Sequence, residues 1–456
     1  MGPFSSQSLP RCPQVAILGS TWQPRVAPTN VAAPRVARDT SAVIRPEDSP
    51  KFRFVDVFAG IGGMRAGLEL VGGQCVSTIE NDPHACRTYG ANWGPVEPID
   101  IRSVKPHALP EYDVLAAGFP CQPFSLAGVV KKESLKRESL RRANEAVDEE
   151  RVQHAHGFHD PVSGNLYFEI IRLIGGPWNL PQEELEREAT EADWYELDLA
   201  KEGDELLQTT KTLDLMPPVL LLENVRNLGS HDKGRTFRII RRRLIRSGYH
   251  VAHKVISAAH WVPQDRRRIF IVALRRDRFD DPFVFPETPA GIKGLTDDML
   301  EHDPEVLETH RLTLGVWTAL ERHRARHREK RNGFGYGIAK IGKPTRTLSA
   351  RYYKDGAEIL IPLPDTMLDE RKAPCRRLTR TECVRLMGFE EPYLGRPFVF
   401  PERSQVQAYK QLGNAVVVPQ VGWLAEAIEK TARAEFARRL AGSSLRTSSS
   451  SESESS

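Results

Sequence analysis

Short apolar runs of strand length recur through the first 275 residues and alternate with segments of helical period. Between the first two runs, residues 65–71 have helical period. The runs are Phe54 to Phe58, Cys75 to Ile79, Tyr112 to Ala117, Pro218 to Leu222 and Ile269 to Ala273. This alternation predicts an α/β fold with a doubly wound, Rossmann-like sheet.

The alternation is lost from about Phe283 to Pro401, where loops are longer and Gly and Pro more frequent. We therefore expect a first domain over residues 51–285, a smaller second domain over 286–403, and a segment at 404–440 that returns to the first. The last long helix is expected over residues 421–440. Residues 1–50, rich in Pro, Ala, Ser and Arg, and the Ser- and Glu-rich residues 441–456 are predicted to be disordered.

Charge is unevenly distributed along the chain. Residues 182–205 contain eleven Asp or Glu and two Lys or Arg, which predicts an inserted, exposed helical excursion over about 178–215. Residues 129–151 are strongly basic and either close over a phosphate backbone or form a solvated helix. The net charge of +4 permits a polyanionic partner without requiring one. The six cysteines have no disulfide or metal spacing, and no apolar run is long enough to span a membrane.

The glycine turn after the first run is typical of a nucleotide-binding fold. Gly60-x-Gly62-Gly63 would let a ligand approach backbone amides at a helix N-terminus, although it departs from the dinucleotide fingerprint G-x-G-x-x-G. Glu80 ends the second run, where a carboxylate binds ribose hydroxyls or is simply solvated. Asp100 could accept a hydrogen bond from an adenine amino group. No phosphate-binding lysine follows the glycines, so a non-phosphorylated adenosine fits better than a nucleotide.

A rigid turn carries Cys121 just after the apolar run Tyr112 to Ala117. The thiol of Cys121 lies between two prolines in the sequence Gly118-Phe119-Pro120-Cys121-Gln122-Pro123. It could be a nucleophile, a metal ligand or a buried apolar group. A deaminase-type zinc site is disfavoured, because position 124 is Phe and the His-x-Glu sequence lies far downstream at 327–329. Glu223-Asn224-Val225 reaches the same sheet edge, and arginines 266–268 there indicate a nearby anion.

Together these motifs resemble the DNA (cytosine-5)-methyltransferases, in order from about Phe52 to Ala434. The matching segments are Asp56 to Gly63, Gly118 to Ser125, Glu223 to Val225, Gln264-x-Arg266-x-Arg268 and Gly413 to Val416. The departures are Ala415, where Ser is common, and the acidic insert. The resemblance implies an S-adenosylmethionine-dependent catalytic domain, completed by residues 404–440, and a target-recognition domain at 286–403.

The resemblance also implies roles for the site residues. Cys121 would add as a thiolate to C6 of a cytosine flipped out of the duplex. Glu223, its pKa raised by burial, would bind N3 and the exocyclic amine and supply a proton. Arg268 would contact the base carbonyl and hold the thiol loop, and Arg266 would stabilise the flipped nucleotide or its phosphate. For S-adenosylmethionine, the implied contacts are Phe58, Asp100 and Ile101 at the adenine, Gly60 and Gly62 near the methionine end, Glu80 on the ribose, and Asn414 closing the site.

Residues 332–361 resemble the recognition region of bacterial methyltransferases of the Dcm and EcoRII type, which modify the inner cytosine of CC(A/T)GG or CCNGG. The implied base-reading residues are Arg346, Arg351, Tyr352 and Lys354. The expected setting is a monomer in the bacterial cytoplasm acting on double-stranded DNA, with any cognate restriction endonuclease acting separately.

Three other functions compete with this interpretation. RNA cytosine-5 methyltransferases of this fold usually have Thr where Ser125 stands, and a downstream Cys-Phe-Thr that is absent here. A catalytically inactive DNA-binding regulator is disfavoured by the joint presence of Cys121, Glu223 and Arg268. A dinucleotide oxidoreductase would leave Cys121 and the recognition region unexplained.

Overall fold

The computed structural model describes residues 49–120, 166–179, 181–191, 195–209, 216–329, 331, 335–354, 356–390 and 393–453. Three predictions therefore concern residues outside the described part of the chain: the nucleophile Cys121, the basic segment 129–151 and the disordered N-terminal residues up to 48.

A six-stranded sheet in the order β2-β1-β3-β4-β6-β5 forms the centre of the described chain. Its strands are β1 (Phe52–Val57), β2 (Gly73–Ile79), β3 (Val114–Ala117), β4 (Val219–Val225), β5 (Tyr249–Ser257) and β6 (Arg267–Arg275). Strands β1 to β4 are parallel, whereas β6 is antiparallel to both β4 and β5. The predicted doubly wound sheet is confirmed. The edge strand β5 was not predicted, because most of its residues are only half-buried and it lacks a continuous apolar run.

Several helices cover the two faces of the sheet, and the described part of the chain contains eleven α-helices in all. They are α1 (Gly63–Glu69), α2 (Pro83–Trp93), α3 (Leu166–Leu173), α4 (Gln182–Thr190), α5 (Tyr195–Thr209), α6 (Arg235–Arg246), α7 (Pro304–His310), α8 (Leu314–Glu329), α9 (Arg380–Met387), α10 (Gln405–Asn414) and α11 (Val418–Ser453). Alternate strand residues pack to opposite sides: Leu115 faces the core with α3 and α6, and Val114 the core with α1 and α11. Burial on both faces explains why β3 and β4 are nearly continuous apolar runs.

The acidic insert is not the exposed excursion that its composition predicted. Helices α4 and α5 pack on α6, and their acidic side chains pair with its arginines. Glu188 is fully buried, with its carboxylate 2.6 Å from Arg243 Nε and 3.2 Å from Arg246 Nη1. Arg242 donates to the carbonyls of Glu188 and Glu191 near the C-terminal end of α4. The acidic run and the basic helix are therefore complementary surfaces of one contact, and the prediction failed because each was considered alone.

Residues 286–403, which we call the second region, are mostly loops and short helices. Its two-stranded sheet pairs β7 (Ile361–Pro362) with β8 (Cys375–Arg376). Helix α9 begins with a capping box, in which Thr379 accepts from the Glu382 amide and Glu382 from the Thr379 amide. A core that includes Ile61, Leu348 and Leu412 joins the glycine turn, this region and α10.

Helix α11 extends through Ser453, beyond the predicted disordered boundary at 441. Arg439 and Ser443, on either side of that boundary, hold the helix to the residues just before β3. Arg439 Nε lies 2.7 Å from Asp113 Oδ1, and Ser443 Oγ donates to Glu111. Earlier in the helix, Phe436 packs on Phe52 of β1 with ring centroids 5.1 Å apart. These contacts, made far along the sequence, lie outside what a local polar composition can predict.

Candidate active site

Four predicted site positions lie side by side at one edge of the sheet. The register pairs the residues immediately before them across neighbouring strands: Val57 with Ile79, Val57 with Ala117, and Ala117 with Leu222. Phe58, Glu80, Gly118 and Glu223 each follow one of these paired residues. The carboxyl edge of a parallel sheet is where ligands bind in such folds.

The turn after β1 is built from left-handed backbone. Phe58, Gly60 and Gly62 have φ of 55°, 57° and 86°. A Cβ on Gly62 would fall 2.2 Å from the indole nitrogen of Trp93, which donates to the Ile61 carbonyl. A Cβ on Gly60 would meet no atom within 4 Å, so the backbone of Gly60 borders open space. The turn therefore leaves room for a ligand at Gly60 and is closed behind by Trp93.

The Glu80 carboxylate is fixed beside this turn. One oxygen accepts from the Gly60 amide at 2.8 Å and the other from the Asp82 amide at 2.8 Å. The Ile99 amide donates to the Glu80 carbonyl at 2.8 Å, which brings the next segment alongside. There the half-exposed Asp100 accepts from the Arg102 amide, and Ile101 is buried. A held carboxylate, an open glycine and a second carboxylate fit the ribose and base of an adenosine.

The segment before α11 lies against the start of α1. A Cβ on Gly63 would fall 3.1 Å from the Val416 carbonyl oxygen, and one on Gly413 would fall 2.3 Å from the Ser349 backbone. Close backbone contact at both glycines holds residues 413–416 between the cofactor turn and the second region. Asn414 ends α10 in this segment and is exposed.

Glu223 and Arg268 form an ion pair at the same sheet edge. Because β6 runs antiparallel to β4, its beginning lies beside the end of β4, with Arg268 opposite Val225. Arg268 Nε is 2.8 Å from Glu223 Oε1. The Glu223 side chain is buried, and this burial raises its pKa, as predicted, although the charges of Arg268 and Arg266 lower it. A neutral carboxyl can donate a proton, so this arrangement suits acid catalysis.

Asn224 holds the chain that leads to Cys121. Its Nδ2 donates to the Phe119 carbonyl at 3.0 Å, and a Cβ on Gly118 would lie 3.7 Å from Glu223 Oε2. The backbone two residues before Cys121 is thus tied to the residue next to Glu223. The Glu-Asn sequence was identified as a motif, but this bond depends on the neighbouring strand β3 and was not predicted.

Arg266 does not occupy the position predicted for it. Its guanidinium is 1% exposed and donates to the carbonyls of Leu348 at 2.8 Å, Gly413 at 2.9 Å and Ala415 at 2.7 Å. Gln264 is also buried, accepting from the Leu348 amide and donating to the Leu386 carbonyl. The predicted contact of Arg266 with a flipped nucleotide or phosphate is replaced by a structural one, since its donors are directed into the protein. Together, Gln264 and Arg266 connect β6 to both later segments.

Tyr352 is also not the base-reading residue that the sequence implied. It is fully buried, accepts from the Leu378 amide at 2.8 Å and packs edge-on against Tyr409. Arg346, Arg351 and Lys354 are exposed, and Arg346 Nη1 donates to the Gly335 carbonyl. The interleaved basic and aromatic residues therefore separate into an exposed basic set and a core tyrosine.

Asp56 is a buried acid that the sequence prediction missed. It is the fifth of the six residues of β1 and has no exposed surface, and neither carboxylate oxygen has a hydrogen bond of ordinary geometry. Burial raises its pKa to about 8, although the positive charge of Arg65 acts to lower it. An Asp within an apolar strand is the signal that could have found it.

The described residues contain no cluster of His, Cys, Asp and Glu able to hold a metal ion. Among them, no helix is long and apolar enough to cross a membrane.

The fold matches that of solved methyltransferases. The chain superposes on the S. pombe Dnmt2 methyltransferase with a TM-score of 0.52 at 17% identity, over 83% of this chain and 98% of the other. The Entamoeba histolytica methyltransferase EhMeth gives 0.52 at 15% identity, over 83% and 98%. The architecture is thus that of a Rossmann-like methyltransferase.

The sequence comparisons identify the family. The profile of the C-5 cytosine-specific DNA methylases matches residues 52–145 and 198–430, and this chain belongs to that family. The DNA-cytosine methyltransferase of Escherichia coli K12 is 37% identical over 85% of this chain and 79% of its own length. Type II methyltransferase M.NlaX of Neisseria lactamica is 34% identical over 85% and 100%. The family resemblance inferred from the five motifs is confirmed.

Proposed function

We propose that this protein transfers a methyl group from S-adenosylmethionine to C5 of a cytosine flipped out of double-stranded DNA. The observation that carries the proposal is the Glu223–Arg268 pair at 2.8 Å, beside the Asn224–Phe119 bond that holds the chain leading to Cys121. An acid and a thiol-bearing turn at one sheet edge are the groups that activation of a cytosine ring requires.

The proposed chemistry follows from these groups. The Cys121 thiolate adds to C6 of the cytosine, and electron density moves through the ring to C5 and N3. Glu223, whose pKa is raised by burial, would donate a proton at N3 as that charge builds, and Arg268 keeps its carboxyl in place. After transfer, a solvent base takes the C5 proton, N3 returns its proton to Glu223 and the C6–sulfur bond breaks to release the thiolate. These steps restore the aromatic ring. Bound S-adenosylmethionine supplies the electrophilic methyl group.

The cofactor is assigned to the turn after β1 and its neighbours. Gly60, with open space at its Cα, would lie near the methionine end, and Glu80 would accept from ribose hydroxyls with its remaining lone pairs. Phe58, Asp100 and Ile101 are proposed at the adenine. Asn414 would close the site, because residues 413–416 lie against the start of α1.

We propose CC(A/T)GG or CCNGG as the recognition site, with Arg346, Arg351 and Lys354 as candidate base-reading residues because they are exposed. The enzyme is proposed to act as a monomer on duplex DNA, separately from any cognate restriction endonuclease. Methylation of duplexes that differ by single bases would test the site, and equal methylation of all of them would exclude it.

The first test is methyl transfer by the purified protein. Radiolabelled-methyl S-adenosylmethionine is incubated with a duplex library or with RNA, and DNA products are sequenced for 5-methylcytosine. Wild type should label DNA, and Cys121→Ser should bind cofactor and DNA without transfer. Label in RNA alone would instead assign an RNA methyltransferase, and wild-type binding without transfer an inactive regulator.

A further inference from the structure

Helix α8 is anchored at its beginning and basic at its end. Its first two turns place Val316, Trp317 and Leu320 in a small core with Tyr336 and Leu360. The rings of Trp317 and Tyr336 are 5.1 Å apart. Residues 322–329, which we call the basic arm, follow directly and contain arginines at 322, 324, 326 and 328.

One side of helix α8 is buried and apolar at the beginning of the helix, and the same side carries charged and histidine side chains in the basic arm. From Val316, positions 320, 323, 324 and 327 lie on one side of a helix by their spacing of three and four. The apolar side chains on this side stop at Leu320, and His323, Arg324 and His327 follow, with the two histidine rings 4.2 Å apart. Arg322 and Arg326, one turn apart, lie on the opposite side of the helix, and Arg328 lies beside the first side. Past Leu320 the arm therefore presents positive charge to solvent around much of its circumference.

The arginines of the basic arm have no acidic partners. Within the described part of the chain, Arg322, Arg324, Arg326 and Arg328 make no ion pair, and all four are exposed. The arginines of α6, by contrast, are matched by the acidic insert. Like charges four residues apart cost a helix a few tenths of a kcal/mol per pair, about 0.2–0.5. An external anion would remove that repulsion.

The arm adjoins the region proposed to read DNA. The Arg324 guanidinium lies 4.6 Å from the centre of the Tyr336 ring, and a Cβ on Gly335 would fall 3.0 Å from Arg324 Cγ. Arg346 donates to the Gly335 carbonyl at 2.8 Å. The basic arm and the candidate base-reading residue Arg346 therefore contact the same short segment from two sides.

We propose that the basic arm binds the phosphate backbone of duplex DNA next to the target site. This inference rests on the proposed function, because it assigns a second contact surface for the same substrate. Phosphate contacts from arginine position a protein on the duplex and are independent of base sequence. The arm thus supplies affinity and orientation, and the residues around Arg346 supply the choice of bases.

The test compares salt dependence of DNA binding. The variant carries Arg322→Gln, Arg326→Gln and Arg328→Gln and retains Arg324, which packs on Tyr336. DNA affinity falls as salt rises, and each lost phosphate contact makes the negative slope of log K against log salt shallower by about 0.9. Loss of three contacts should therefore make it shallower by up to about 2.7. We expect affinity to fall roughly tenfold or more, equally for duplexes with and without the recognition site. S-adenosylmethionine binding should be unchanged.

A charge-matched control removes three cations from α11. Lys430→Gln, Arg433→Gln and Arg438→Gln are exposed positions on a helix that packs against α1 and β1. The control should keep the wild-type salt slope. If wild type methylates DNA but the arm variant and the control have the same slope, the inference is wrong and the proposed function stands. If wild type neither binds nor methylates duplex DNA, the proposed function fails and the inference fails with it.

Discussion

Replacing Arg266 with Met separates the structural role seen here from the phosphate contact implied by the sequence. The substitution keeps an unbranched chain of similar length and removes the donors to the carbonyls of Leu348, Gly413 and Ala415. These bonds connect β6 to two segments 82 and 147 residues away in sequence. Their loss should therefore loosen the contact between the sheet and both segments.

The magnitude follows from the number of carbonyls left without donors. An unsatisfied buried polar group costs about 1–3 kcal/mol, so three give roughly 3–9 kcal/mol before relaxation. The methionine avoids the desolvation of a buried guanidinium, which offsets part of this cost. We expect a net loss of about 3–5 kcal/mol in the free energy of unfolding. At about 2.1 cal/mol/K of unfolding entropy per residue, this lowers the melting temperature by about 3–6 °C.

The assay is thermal unfolding without DNA or cofactor, followed by DNA binding across a range of salt. Arg267→Met is the matched control, because the Arg267 side chain is 52% exposed and, within the described part of the chain, its ion pair is with Asp265 at 3.0 Å. It should shift the melting temperature by about 1 °C or less. If Arg266→Met melts like this control but loses DNA affinity, with a salt slope reduced by about one, Arg266 contacts phosphate and our reasoning is wrong.

Three further predictions concern buried carboxyls. In the proposed mechanism Glu223 acts in its protonated form, so the methylation rate should fall as pH rises through the raised pKa of this carboxyl. Arg268→Met removes a positive charge that lowers this pKa. The descending limb of the pH–rate profile should therefore move to higher pH. An unmoved limb would exclude Glu223 as the acid. Asp56 has a pKa of about 8 in the folded protein, whereas the same carboxyl in the unfolded chain loses its proton near pH 4. Between about pH 4 and pH 8 the folded state therefore binds one more proton than the unfolded state. In this window the free energy of unfolding should fall by about 1.4 kcal/mol for each pH unit as pH rises. Asp56→Asn should remove that contribution in urea titrations at several pH values, and an unchanged pH slope would contradict it. Glu188→Gln removes the counter-charge of the buried Arg243 and Arg246 and should lower the free energy of unfolding by about 3 kcal/mol. The control Glu183→Gln, at an exposed position, should change it by less than about 0.5 kcal/mol. Equal effects of the two substitutions would show that these ion pairs do not hold the insert.

The sequence by itself determined the sheet edge and the order of the groups placed there. Strands β3 and β4 could be predicted because each is buried on both faces and is therefore a nearly continuous apolar run, whereas β2 is mostly half-buried and was found from its shorter apolar segment. Glu80 and Glu223 could be placed because the carboxyl ends of parallel strands meet at one edge. The rise in the pKa of Glu223 was implied by the family resemblance, and the buried position of its side chain at the end of β4 supplies the physical cause.

Only the tertiary structure decided which side chains those groups meet. Arg266 and Tyr352 carry the residue types of a DNA contact, yet their partners are carbonyls and amides far along the chain, which no local pattern specifies. The acidic insert and α6 are each unusual in charge, and their complementarity is visible only when α4 and α5 pack on α6. Gly62 is required because Trp93 packs behind it. The physical reason is common to all four: hydrophobic periodicity is a local property, whereas hydrogen bonds, ion pairs and close packing depend on which distant segments the fold brings into contact.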